Sequence, residues 1–112
     1  MDQELKRIEY RKGMLKKGMK TKDLPVKSWQ GSEITEDVRT AIDAEKLPEL
    51  GGIYGDPNVG DPVQYDYLRL IFDHQVFEII VFNRGIFMVF GADKRLLRIH
   101  RLLCKLEMLE KA

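Results

Sequence analysis

The chain has 112 residues, a formal charge of +1 and one cysteine, and 44% of its residues are apolar. That length holds one domain with a modest core, and the apolar content excludes a disordered chain. The lone Cys104 excludes an internal disulfide and implies a reducing, cytoplasmic setting.

No apolar run approaches the roughly 20 residues of a membrane helix. The opening "MDQELKRIEYRK" is charged, unlike a signal peptide, so no membrane contact is expected. The small net charge hides a pattern. Residues 1–27 carry nine cations against four anions, residues 28–78 three against eleven, and residues 79–112 seven against three. Either the basic ends pack near the acidic middle, or a basic surface lies opposite an acidic one.

At the start, Leu5, Ile8, Leu15 and Met19 fall at helical spacing, although Lys12 interrupts the stripe and Gly13 and Gly18 weaken it. This predicts a short amphipathic helix or an extended arm. Residues 18–32 read as a linker anchored by Val26 and Trp29, so 1–32 form a basic N-terminal segment ahead of an α+β unit at 33–112. Ser32 or Thr35 can cap a helix running to about Lys46, with acids in its first turn. Its buried face would be Ile34, Val38, Ala41 and Ile42.

Residues 47–63, "LPELGGIYGDPNVGDPV", are rich in glycine and proline. They lack the Lys-Ser or Lys-Thr of a phosphate loop, and Asp56 and Asp61 stand where a phosphate needs cations. A connector with tight turns is expected. Three strands should follow. "QYDYLRLIFD" places Leu68, Leu70 and Phe72 on one face, and Tyr65, Tyr67, Arg69 and Ile71 on the other. "QVFEIIVF" places Phe77, Ile79 and Val81 opposite Val76, Glu78, Ile80 and Phe82. "IFMVFGA" would form a third strand after a turn at Asn83-Arg84-Gly85. Asp93 can cap a closing helix with Leu96, Ile99, Leu102, Leu103, Leu106 and Leu109 on its core face. The expected class is α+β: a three-stranded antiparallel meander over about 65–92 packed on a C-terminal helix over about 94–110, with one or two N-terminal helices.

Two groups of cations suggest nucleic acid. On the last helix, Lys94, Arg98, Arg101 and Lys105 form a narrow stripe at about 100° per residue. Near the start, Lys6, Arg7, Arg11, Lys12, Lys16 and Lys17 head a basic cluster. Such groups can follow a phosphate backbone, but the domain is almost neutral and no aromatic interleaves the stripe. His100, Cys104 and Glu107 share a helix face, short of the four ligands of a structural zinc site. No catalytic residue, cofactor or metal is expected, and no enzyme.

The stretch "FNRGIFMVFGADK", residues 82–94, resembles part of a TATA-box-binding protein repeat in Phe82, Gly85, Gly91 and Ala92. Pro48-Glu49-Leu50 with Ile53-Tyr54 resembles another phrase of that repeat. The resemblance implies a concave apolar sheet at Ile80, Phe82, Met88 and Phe90, a face that the family presents to a minor groove. Half of one repeat is covered rather than two repeats, and the inserted "DPNVGDPVQ" is acidic, so DNA binding does not follow from it.

The last two strands are apolar on both faces, and one helix covers only one of them. The function expected is therefore a small binding or assembly subunit. It would act through Ile80, Phe82, Met88 and Phe90 on a protein partner, itself or a larger assembly. The alternative is a nucleic-acid-binding regulator using the two basic groups.

Overall fold

The computed structural model describes residues 4–58, 60–85 and 94–110. The fold is α+β, but its sheet has five strands and is mixed. The strands are β1 (Leu5–Leu15), β2 (Val26–Gln30), β3 (Gly52–Tyr54), β4 (Val63–Phe72) and β5 (Val76–Phe82). Their order is β2-β1-β4-β5-β3. Every pairing is antiparallel except β3 with β5. Two helices are described, α1 (Glu36–Ala44) and α2 (Lys94–Glu110).

This overturns the three-stranded meander. β4 and β5 do form a hairpin, with Leu68 opposite Ile79 and Tyr67 opposite Ile80. The place beside β5 belongs to β3, whose Gly52, Ile53 and Tyr54 pair with Ile79, Ile80 and Val81. The third strand expected at 86–92 lies outside the described residues, as does the cap at Asp93. The turn expected at 83–85 is replaced by a change of course. Asn83 takes a left-handed backbone (φ 55°), which asparagine tolerates, and Arg84 and Gly85 are helical.

The N-terminal segment is the second correction. Residues 5–15 are neither helix nor arm but a strand, β1, lying between β2 and β4. The helix-like spacing of Leu5 and Ile8 comes from a bulge. The register with β4 slips between Leu5 and Arg7, so both apolar residues reach the same side. From Ile8 onward the strand alternates normally, with Tyr10 also buried. The Leu5 carbonyl accepts a hydrogen bond from Arg39 Nη1 of α1 at 3.0 Å.

β2 and β3 occupy opposite edges of the sheet, so the chain crosses its full width between them. α1 makes that crossing, with Val38 and Ile42 buried, and a 3-10 turn at Leu47–Leu50 buries Leu47 and Leu50 before β3 begins. At the end of β3, Gly55 (φ 81°) lies so close to β5 that a Cβ would overlap the Phe82 carbonyl oxygen. Only glycine suits both the backbone angle and the approach. α2 buries Leu96, Ile99, Leu102, Leu103 and Leu106 against the same inner face, where Ile8, Leu68, Leu70, Ile79 and Val81 wait. Arg98 and Arg101 of α2 both reach the Glu45 carboxylate just beyond α1.

Leu103 is 1% exposed, and Leu103→Ala should cost about 2–5 kcal/mol in a urea unfolding curve. Met108, 71% exposed on the same helix, is the control, and its alanine variant should unfold like the wild type. Equal effects at the two positions would mean that the leucine face is not the core.

Candidate functional site

Strand alternation gives the sheet two unlike faces. The helices take the inner face. Outward point Arg7, Glu9, Arg11 and Gly13 from β1, Tyr65, Tyr67, Arg69 and Ile71 from β4, Val76, Glu78, Ile80 and Phe82 from β5, and Ile53 from β3. Polar residues gather on the β1 side and apolar ones on the β3–β5 side. Ile53 is 67% exposed and Val76 47%, while Tyr67, Ile71, Ile80 and Phe82 are half-buried. Tyr65 packs on Tyr67 and Phe82, with ring centroids 6.4 and 5.5 Å away. Glu78 is exposed and accepts a hydrogen bond from the Tyr67 hydroxyl.

One end of this face is covered. Residues 16–25, between β1 and β2, fold back so that Leu24 lies over Gly13, where a Cβ would stand 2.7 Å from its Cδ2. Leu24 and Tyr65 are buried there. Arg11 Nη1 donates to the Leu24 carbonyl and fixes the fold-back to β1.

Ile80 and Phe82 thus lie on one outward face, joined by Ile53, Tyr67, Ile71 and Val76, which the sequence reading did not assign to a site. Ile53 was hidden by its glycine-rich surroundings, although Tyr67 and Ile71 were visible in the alternation. Met88 and Phe90 lie outside the described residues. The basic residues do not converge. Arg7 and Arg11 point outward, and Lys12, opposite Asp66 in the register, points inward. Lys6 bonds Glu4 and approaches Asp73. Lys16 is exposed at the end of the fold-back, and the Lys17 amide donates to Asp61. On the other side of the sheet, Arg98 and Arg101 meet Glu45, Lys105 stands 3.9 Å from Asp37, and Lys94 is exposed. Much of the stripe therefore serves packing between helices, with acids of α1 and its end as partners.

A buried charged cluster, not expected from the sequence, sits on the inner face. Asp66 is 1% exposed and Arg84 6%. Tyr10 donates to Asp66 Oδ1 at 2.7 Å, and Arg84 Nε approaches Asp66 Oδ2 at 3.5 Å. Arg84 Nη2 and Lys12 Nζ each meet a Glu107 oxygen at 2.7 Å. Burial pushes the Asp66 carboxyl up, more than Arg84 and Tyr10 pull it down. Burial also pushes Glu107 up, but its hydrogen bonds to Lys12 and Arg84 outweigh that and hold it below the usual range. Burial and the nearby Arg84 lower His100. Its Nε2 lies 3.4 Å from Cys104 Sγ, but Glu107 is committed to Lys12 and Arg84. Among the described residues no group of three or more His, Cys, Asp or Glu is placed to hold a metal.

No protein-family model, curated protein or solved structure matches this chain. Of the residues that resemble the TATA-box-binding repeat, Gly91 and Ala92 lie outside the described set, and Phe82 is on the outward face. No described helix is long and apolar enough to cross a membrane.

Glu107 is lowered in the folded protein, so its contribution to stability is present above the unfolded value near 4.5 and is lost as pH falls through the folded value. Glu107→Gln should therefore destabilise by about 1–3 kcal/mol at pH 7. The gap to wild type should narrow as pH falls from 7 to 3. Urea curves at the two pH values measure it, and an undiminished gap at pH 3 would assign the loss to packing rather than charge.

Proposed function

We propose that this chain is a small non-enzymatic assembly subunit that docks its outer sheet face onto a second copy of itself. The observation that carries this reading is the apolar character of that face over β3, β4 and β5. Among the outward residues of these strands only Arg69 and Glu78 are charged, and they have opposite signs and stand directly opposite each other. The two charges sum to zero, and each is engaged, Arg69 by Glu9 and Glu78 by the Tyr67 hydroxyl, so a second copy meets little net repulsion across this half. The described helices lie on the other side of the sheet.

Size bears on the strength of that docking. β4, β5 and β3, with ten, seven and three residues rising about 3.4 Å each and lying about 4.8 Å apart, present roughly 300 Å² in projection. That is within the range of the largest apolar patch on a typical monomer, about 300–600 Å², a patch that is often functional. It is about half of the roughly 600 Å² per partner at the low end of specific interfaces, so the rims of the face must contribute. The association should accordingly be weak and concentration-dependent.

Sedimentation velocity across a concentration series tests this. The wild type should shift from monomer to dimer, and Ile80→Lys and Ile53→Lys should stay monomeric with unchanged circular dichroism and melting. Ile53 is mostly exposed, so its variant keeps the test clear of folding. A wild type that remains monomeric to its solubility limit would end this reading.

A further inference from the structure

The β1 side of the outer face holds a hollow of about 180 Å³ beneath the fold-back. Tyr65 and Tyr67 line it, with rings 27° from parallel. Arg11 comes from β1, Arg69 from β4 and Lys22 from the 3-10 turn at Thr21–Asp23. Glu9 is the one acid among the described lining residues. Strand alternation explains the gathering, because Glu9 pairs with Arg69 and Arg11 with Tyr67 on the same side of the sheet.

Three cations face one carboxylate, and that carboxylate is already engaged. Glu9 receives Arg69 Nη1 and Arg7 Nε, each at 3.1 Å. The Lys22 ammonium has no partner among the described residues. Arg69 Nε is buried without a hydrogen-bond acceptor among the described residues. A donor with no acceptor in the fold costs free energy unless water or a bound group accepts from it.

We propose that this hollow binds the phosphate-monoester group of a small ligand, with Arg11, Lys22 and Arg69 donating to its oxygens. The charges match. Three cations less Glu9 leave an excess of two, and a phosphate monoester carries about −1.5 to −2 at neutral pH. A carboxylate would leave one cation unmatched. Guanidinium forks suit phosphate oxygens. The volume is below the roughly 300–1,000 Å³ of pockets that enclose a whole ligand. One group therefore enters, and the rest of the ligand extends past Val26, which is exposed at the rim.

Titration of the full chain with phenyl phosphate, followed by amide NMR shifts, tests the site. Saturable binding is expected, with shifts centred on Thr21, Lys22, Tyr67 and Arg69. Lys22→Gln should weaken it about tenfold, the loss of one charged hydrogen bond. Lys22 is exposed, so that variant does not risk the fold. Lys94→Gln, on the helical side, should bind like the wild type, and benzoate should bind more weakly than phenyl phosphate. The proposal is overturned if phenyl phosphate fails to saturate at tens of millimolar. It is equally overturned if Lys22→Gln and Lys94→Gln behave alike, or if benzoate binds as well. Sedimentation reads the self-association and titration reads the hollow, so each stands or falls alone.

Discussion

A carboxylate on the inner face of β4, Asp66, is almost wholly out of water, and such burial survives only beside donors or positive charge. Tyr10 of β1 and Arg84, just past β5, supply both. Arg84 in turn needs a second acid, and Glu107 on α2 provides it. Lys12 of β1 closes the circuit on Glu107. Four segments are thereby fixed to one another by groups that tolerate no substitute nearby. Apolar packing alone would let α2 slide along the sheet, since Leu102, Leu103 and Leu106 are nearly equivalent in size and shape. A guanidinium wedged between two carboxylates admits one position.

Much of the fold was legible in the sequence, and the parts that were not have physical reasons. The β4–β5 hairpin announces itself by two strand-forming runs around a short turn, and both helices by apolar residues at helical spacing. β1 does not, because one bulged residue places Leu5 and Ile8 three apart on the same face, the spacing of a helix. β3 escaped because it is three residues long and lies among glycines. A parallel edge strand of that length owes its place to its neighbours, Leu47 and Leu50 behind it and β5 beside it, rather than to its own composition.

The outward face was readable for Ile80 and Phe82, since alternation on β5 leaves them little choice. The charged cluster was within reach but missed. The face of Leu68, Leu70 and Phe72, carried two residues back, lands on Asp66. Nothing in the local sequence marks Arg84 as its partner, because a left-handed Asn83 turns the chain between them. The basic stripe on α2 illustrates the opposite case. Its spacing was plain, but its partners, Glu45 and Asp37, lie some fifty residues or more away in the chain and became visible only in the folded molecule. The hollow under the fold-back is likewise a tertiary product of β1, β4 and the turn at Thr21–Asp23.

The central position of β1 has a consequence for how the molecule comes to be. Leu15 pairs with Val63 and Leu5 with Phe72, so the first strand meets its main neighbour only after the chain has been extended through β4. Until then it has β2 alone, a two-stranded ribbon that is marginal in water. During synthesis the opening third of the chain therefore emerges with Ile8, Tyr10 and Trp29 unshielded. Like positive charge along that segment opposes its pairing with the same strand of another nascent chain, the physical effect that charged residues have on any open strand edge.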